Sequence, residues 1–449
     1  MADNKMINQQ DTIAALATPV GRGGIGVIRI SGPRVSDIAR SLLGQLPQPR
    51  YATFSHFNDS HGELLDQGIV LYFPAPHSFT GDDVLELQGH GGTVVMDRLL
   101  NAVLNLEARL AHPGEFSERA FLNGKIDLAQ AEAIADLIDS ASTQAARCAL
   151  RSLQGEFSDQ IHTLVEQLVW LRTYIEAGID FVDEEIDLLA DGQVTEKIEK
   201  LIQDLETILD KAQQGFLLKE GMRIVLVGEP NVGKSSLLNC LVGRETAIVT
   251  PIPGTTRDVV RDQIQLDGMP LHITDTAGLR ETDDPVEQEG IRRTKLALQE
   301  ADVVILLLDD RHPDDNVHAH LLAEIHKPPL VIRNKIDLSG HNAGINTGEI
   351  LYLSAKTGEG VEILKNYLKE KMGLHSNTEG TFMARRRHLD ALQRAKIAFT
   401  TSLNHASAQN SELVAEELRQ AQQVLGEITG EFTTDDLLGQ IFSTFCIGK

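Results

Sequence analysis

The chain has 449 residues, 42% of them hydrophobic, and a formal charge of −24 at pH 7. That length predicts about three domains, each able to bury a core. The charge excludes a general nucleic-acid coat, which would be basic, but leaves room for RNA at one local patch. No run reaches the roughly 18 apolar residues of a membrane span, and the first residues carry no secretion pattern. Three cysteines without motif spacing, Cys148, Cys240 and Cys446, suit a reducing compartment, so a cytoplasmic protein with no membrane partner is expected.

From Asp11 to about Leu110 short strands dominate: 12–17, 26–30, 68–73 and 83–88. Apolar residues at helical spacing predict helices over Val35–Leu43 and Val94–Leu106, giving an α+β domain over 1–120. Gly21-Arg22-Gly23-Gly24-Ile25-Gly26 fits the dinucleotide fingerprint GxGxxG, which requires a helix directly after it. Here the β-branched, alternating Val27-Ile28-Arg29-Ile30 follows, so a strand is expected and the stretch reads as a hairpin or loop.

Residues 121–214 are rich in helix formers and read as a helical bundle. The acidic run 180–187 reads as a solvated helix boundary, with cation binding as the alternative. Residues 215–375 alternate strands and helices, as a doubly wound α/β domain does, and 376–449 turn helical again. The simplest architecture inserts the α/β domain into the helical one; two unrelated helical domains are the alternative. The fold class is therefore multidomain, α+β and α/β.

The α/β region opens with Gly228-Glu229-Pro230-Asn231-Val232-Gly233-Lys234-Ser235, between the apolar run Met222–Val227 and a helix beginning near Ser236. Strand, glycine-rich turn, Lys-Ser and helix make a phosphate-binding loop. Its backbone N–H groups and the helix N-terminus gather phosphate oxygens. Lys234 supplies a full charge to the outer phosphates, and Ser235 an oxygen for Mg²⁺. Asp275-Thr276-Ala277-Gly278 follows a strand, placing Asp275 near the Mg²⁺ shell and the Gly278 N–H toward a γ-phosphate. Between the motifs lies Thr250-Pro251-Ile252-Pro253-Gly254-Thr255-Thr256, with a threonine suited to closing the Mg²⁺ coordination. Spacing alone does not separate Thr255 from Thr256; resemblance to GTPase switch loops selects Thr256.

Asn334-Lys335-Ile336-Asp337 and Ser354-Ala355-Lys356 each follow a strand. The Asp337 carboxylate suits the N1–H and N2–H₂ donors of guanine, which adenine lacks. Four motifs in this order resemble the translation-factor-like GTPases, with GTP as the substrate. Ras-type enzymes place a water-orienting glutamine after the second motif, but Leu279 stands here and cannot do that. The acidic stretch 281–287 offers candidates.

Two further pieces, Ala17–Gly26 with Glu86–Gly92 and the tail Phe445-Cys446-Ile447-Gly448-Lys449, make the whole chain resemble the MnmE (TrmE) tRNA modification GTPase family. That resemblance implies a homodimer working with the flavoprotein MnmG (GidA) to place an aminomethyl-type group on C5 of the wobble uridine of certain tRNAs. It implies a Ras-like G domain and an N-terminal domain that binds formyl- or methylene-tetrahydrofolate through Arg29, Glu86, Lys125 and Lys449. It also implies K⁺ activation, with Asn231, Thr250, Ile252 and Thr255 as ligand positions and Glu287 orienting the water. Cys446 reads as a nucleophile or one-carbon handle, or as a free thiol; Cys148 and Cys240 read as core. The basic cluster Arg385, Arg386, Arg387, His388, Arg394 and Lys396 reads as a solvated helix start, with tRNA phosphates as the alternative. A regulatory GTPase switch in ribosome assembly is the competing function.

Overall fold

The computed structural model describes residues 11–180, 193–242, 261–266, 269–275, 292, 296–299, 301–312, 328–346, 350–371, 380–432 and 434–448. They belong to two compact units, one of residues 1–135, 152–202 and 394–449, the other of residues 136–151 and 203–393.

The first unit is built on a sheet of order β3-β4-β5-β2-β1-β6. Strands β1 (Ile13–Leu16) and β2 (Gly26–Ser31) pair antiparallel, Ile13 opposite Ser31 and Leu16 opposite Ile28. The Gly21–Gly26 stretch is thus the connection of a hairpin and a strand follows it, as alternation and β-branching require. Helices α1 (Val35–Leu43) and α2 (Thr93–Leu104) lay Ile38, Leu42, Leu99 and Val103 onto Ile28, Ile30, Leu85 and Leu87. The runs at 68–73 and 83–88 lie within or overlap β4 (Leu64–Phe73) and β5 (Val84–Gly89).

Three elements of this unit have no clear sequence pattern. Strand β3 (Thr53–Asn58) is a sheet edge that buries Phe57 but exposes Phe54, so its apolar residues sit on no common face. Strand β6 (Arg109–Leu110) is only a short parallel pairing with β1. Helix α3 (Glu115–Leu122) buries charge where apolar residues are expected. Arg109 grips the fully buried Glu115 with two hydrogen bonds of 2.8 and 2.6 Å, and Arg119 adds a third at 3.0 Å. Burial alone would raise the Glu115 carboxyl. Bonds from Arg109 and the His112 N–H, with the charge of Arg119, outweigh it and hold the group below its ordinary value.

Helices α4 (Leu128–Ile138), α5 (Thr143–Leu153), α6 (Glu156–Asp180) and α7 (Gln193–Glu220) follow. In the first unit α6 packs along the helix Ser411–Thr429, and α3 meets the helix Asp435–Ser443. The acidic run after Asp180 lies outside the described residues.

The second unit carries a sheet of order β12-β13-β11-β10-β7-β9-β8. Strands β7 (Met222–Val227), β9 (Met269–Asp275), β10 (Val303–Asp309), β11 (Leu330–Asn334) and β13 (Ile350–Leu353) run parallel. The edge strands β8 (Arg261–Leu266) and β12 (Gly344–Ile345) are antiparallel to their neighbours. β7 and β10 are buried nearly throughout and read as continuous apolar runs, while β11 and β13 alternate buried with half-buried positions.

Helix α7 continues through Gly215 to Glu220, so the expected 214/215 border lies inside a helix. Gly215 serves close approach there: a Cβ on it would stand 1.8 Å from the Phe382 carbonyl oxygen. Beside that crossing the buried Asp136 carboxylate accepts from Lys219 at 2.8 Å and Arg385 at 2.7 Å. Three members of the basic cluster are paired or buried, while Arg386 is exposed. Arg385 is committed to Asp136, His388 is buried, and in the first unit Arg394 pairs with Glu427 at 2.6 Å. Cys148 is buried in the core of the second unit and Cys240 packs against it.

Candidate functional site

The phosphate loop joins β7 to α8 (Lys234–Val242), so the first N–H groups of that helix are aimed at whatever the loop encloses. Its two motif glycines act differently. Gly233 has φ +103°, a conformation that disfavours any side chain, and a Cβ on it would lie 2.4 Å from Asn334 Nδ2. Gly228 is needed for proximity, since its Cβ would meet the Leu307 carbonyl oxygen of β10 at 2.5 Å. Asn231 holds a left-handed φ of 66° and is exposed. The Lys234 ammonium donates to the carbonyls of Gly228 at 2.9 Å and Glu229 at 3.3 Å, across the loop mouth. Val232 is buried, while Ser235 and Ser236 are exposed in the first turn of α8.

The base motifs are tied directly to this loop. Asn334, 2% exposed, donates through Nδ2 to the Val232 carbonyl at 2.8 Å. Its Oδ1 accepts the Ala355 N–H at 2.9 Å. One buried amide thus joins the phosphate loop to Ser354-Ala355-Lys356. Lys335 reaches back with its ammonium to the Asn231 carbonyl and to the Asp309 carboxylate, both at 2.7 Å. Arg311 first, then Lys335, hold Asp309 well below the usual carboxylate range, so it stays ionised and anchors the lysine. The Ser354 hydroxyl donates to Asp337 Oδ1 at 2.7 Å. Asp337 itself is exposed, as is Lys356.

Of the expected nucleotide residues, Asn231 to Ser236, Asn334, Lys335, Asp337, Ser354, Ala355 and Lys356 therefore converge at the C-terminal ends of β7, β11 and β13. Asp275 closes β9 beside β7, its backbone opposite Leu226. Thr250 to Thr256, Thr276, Ala277, Gly278 and Glu287 lie outside the described residues. The reading by motif left Asp309 and Asp310 unassigned. Their signal was the stretch Leu306-Leu307-Leu308-Asp309-Asp310, in which the apolar β10 ends on one carboxylate and a second follows directly.

A second cluster forms on the first unit's sheet. Arg29 on β2 and Glu86 on β5 are register partners, and the Arg29 Nε to Glu86 Oε1 distance is 2.9 Å. Arg29 Nη1 also donates to the Gly448 carbonyl at 3.3 Å, and the guanidinium lies 5.8 Å from the Phe116 ring and 5.9 Å from the Phe79 ring. Gly448 is buried at the end of β1; a Cβ there would meet the Leu16 carbonyl oxygen at 2.5 Å. The Cys446 carbonyl accepts the Gly114 N–H at 3.4 Å, and the Cys446 side chain is exposed. Arg29, Glu86 and the tail therefore meet. Lys125 instead bonds the Pro76 carbonyl at 2.9 Å, and Lys449 lies outside the described residues.

Comparison with known proteins covers nearly the whole chain. A family model described as the MnmE helical domain matches residues 128–446, and one described as the GTP-binding protein TrmE N-terminus matches residues 12–125. A protein of Coxiella burnetii named tRNA modification GTPase MnmE is 58% identical over 98% of this chain and 99% of its own length. Proteins of the same name from Methylococcus capsulatus and Hamiltonella defensa are 57% and 55% identical, over 98% and 99% of this chain and 99% and 100% of their own. Among solved structures, Era from Aquifex aeolicus is 26% identical over 39% of this chain and 65% of that one, with a TM-score of 0.26. The T. maritima FeoB G domain is 29% identical over 33% and 98%, also with a TM-score of 0.26. With the phosphate loop and the guanine motifs joined in one site and relatives matched end to end, the chain belongs to the MnmE family of GTPases.

Proposed function

We propose that this GTPase acts in tRNA modification as a K⁺-activated homodimer in the cytoplasm. With a flavoprotein partner of the MnmG kind, it installs an aminomethyl-type group at C5 of the wobble uridine, the carbon coming from formyl- or methylene-tetrahydrofolate. The observation that carries this reading is the presence, in one chain, of a linked phosphate and guanine site and of a second site where Arg29, Glu86 and the Cys446-bearing tail meet. Among the described residues no helix is long and apolar enough to cross a membrane.

The donor sets support each ligand. Ser235 is exposed at the head of α8 and presents a hard oxygen suited to Mg²⁺, with Thr256 as its second protein ligand. Exposed Asn231 offers an oxygen for K⁺ at the same mouth, joined by Thr250, Ile252 and Thr255. Bound there, the cations offset charge that develops on the phosphates. Lys234 holds the outer phosphates, Asp337 accepts from the guanine edge, and Glu287 orients the attacking water. In the first unit the Arg29–Glu86 pair presents a cation for a folate carboxylate and a carboxylate for the pterin donors, with Lys125 and Lys449 at its margins.

Mass analysis of wobble uridines from cells lacking the protein tests the whole proposal, and the aminomethyl-type modification should be missing. Normal wobble uridines would overturn it. Equal GTP turnover in Na⁺ and K⁺ buffers would remove the K⁺ component alone.

A further inference from the structure

Behind the guanine motifs lies a polar cluster that the nucleotide reading leaves unused. Asp310 follows the last residue of β10, and its N–H donates to the Asn334 carbonyl at 2.9 Å. Its carboxylate is buried, with 1% side-chain exposure. Yet it accepts a short hydrogen bond from the Ser339 hydroxyl and one of 2.6 Å from His341 Nδ1. The Arg333 guanidinium approaches to 4.0 Å. Ser339 closes the short helix Ile336–Ser339, which contains Asp337, and Gly340 turns the chain through a left-handed φ of 81° to deliver His341. The His341 ring then stands edge-on to Tyr352 on β13, with centroids 5.4 Å apart, on the strand that leads to Ser354.

We propose that Asp310 is a positioning residue for guanine recognition. It fixes the turn that carries Asp337 from below through Ser339 and His341, while Ser354 fixes the Asp337 carboxylate from above. The physical basis is the cost of a stranded charge. A buried carboxylate that loses its donors costs several kcal/mol, so the 339–341 segment cannot lift away without exposing Asp310 to that penalty. The turn between Asn334 and His341 is thereby held at both ends. Asp337 acts through two hydrogen bonds to the base in this reading, and two bonds reward an accurately placed carboxylate more than one does. The inference rests on Asp337 as the guanine reader, and its test separates the two.

The experiment compares GDP with IDP, which lacks the 2-amino group and so loses one bond to Asp337. Each is titrated by calorimetry into the full-length wild-type, Asp337→Ala, Asp310→Ala and Asp310→Asn proteins. Asp337→Ala should bring the GDP:IDP affinity ratio close to one. Asp310→Ala should weaken GDP about tenfold and IDP much less, lowering the ratio. Asp310→Asn keeps an acceptor for Ser339 and should restore most of it. The KM for GTP should rise in Asp310→Ala with kcat at saturation unchanged. Equal weakening of both nucleotides, or an unchanged ratio, would reduce Asp310 to a purely structural group and overturn the proposal. A ratio untouched by Asp337→Ala would instead overturn the guanine reading, and this proposal with it. Should Asp310→Ala fail to fold, His341→Ala changes one exposed side chain and leaves Ser339 donating to the buried carboxylate. The same fall in ratio is expected there, and its absence is equally fatal.

Discussion

The two clusters are built on opposite plans. In the second unit, each contributor lies within a few residues of a parallel strand's C-terminal end, and short motifs supply both geometry and chemistry. In the first unit, Arg29 and Glu86 meet because β2 and β5 pair in one register, and Arg29 meets Gly448 across 419 positions of sequence. A slip of one residue in the β2–β5 pairing would turn Arg29 and Glu86 to opposite faces, whereas the phosphate loop would survive it. The nucleotide cluster is assembled from contiguous motifs at strand ends and cross-linked by Asn334 and Lys335; the sheet cluster depends on strand register and on the docking of the tail.

The sharpest way to break the local plan is Gly233→Ala. The new Cβ would stand 2.4 Å from Asn334 Nδ2, and a φ of +103° is strained for any side chain. Relieving the clash pushes away the amide that bonds Val232 and Ala355, so phosphate and base contacts fail together. GDP affinity should fall at least a hundredfold, equivalent to about 2.7 kcal/mol, by calorimetry. A loss under threefold would mean that the Asn334 link is dispensable. The first unit should be untouched, with unchanged hydrogen exchange over β1 and β2.

The long-range plan breaks at Gly448→Val. Its side chain would run into the Leu16 carbonyl, 2.5 Å from the ideal Cβ, at a φ of +97°. The tail should leave the end of β1, and residues 444–449 should become open to carboxypeptidase, with GDP affinity unchanged. Displacing the Gly448 carbonyl also frees the Arg29 Nη1 donor, a charged hydrogen bond of the kind worth about 1.5–3 kcal/mol. Unaltered trimming would show that the tail is held elsewhere.

The same contrast explains what the sequence made legible. In the second unit the strands ahead of the four motifs were visible, β7 as a continuous apolar run and β11 and β13 as short apolar stretches leading into a motif. Asn334, Lys335 and Asp337 were found because their motif is contiguous. The actual job of Asn334, a cross-link between two loops, was invisible because no spacing states which buried acceptor an amide will find. In the first unit, alternation and β-branching separated the Gly21–Gly26 hairpin from a dinucleotide turn. Helix α3 was missed because Glu115 and Arg119 occupy core positions, and only tertiary pairing with Arg109 makes that burial tolerable. The convergence of Arg29, Glu86 and Gly448 is a property of strand register and tail docking, neither of which short-range patterns encode.

The smallest expected effect sharpens the comparison by pH. Glu118 lies on α3 one turn beyond Gly114, whose α-carbon faces Phe442 and Phe445. Burial, then the nearby Glu115 carboxylate, push its pKa from an ordinary 4.5 up to about 7, against the pull of Arg119. The folded first unit therefore holds a proton that the unfolded chain releases between about pH 4.5 and 7. Stability from this group is complete below 4.5 and is lost as pH rises through 7. Glu118→Gln is neutral throughout. It should match the wild type near pH 4 and exceed it at pH 8 by about 1 kcal/mol, a value discounted for the partial exposure of the group. Thermal unfolding at the two pH values checks this, and a variant less stable at pH 8 would mean that ionised Glu118 has a partner. GDP affinity should not follow the same curve. In the nucleotide cluster Arg311 and Lys335 shift Asp309 in the opposite direction, leaving it ionised across that whole range.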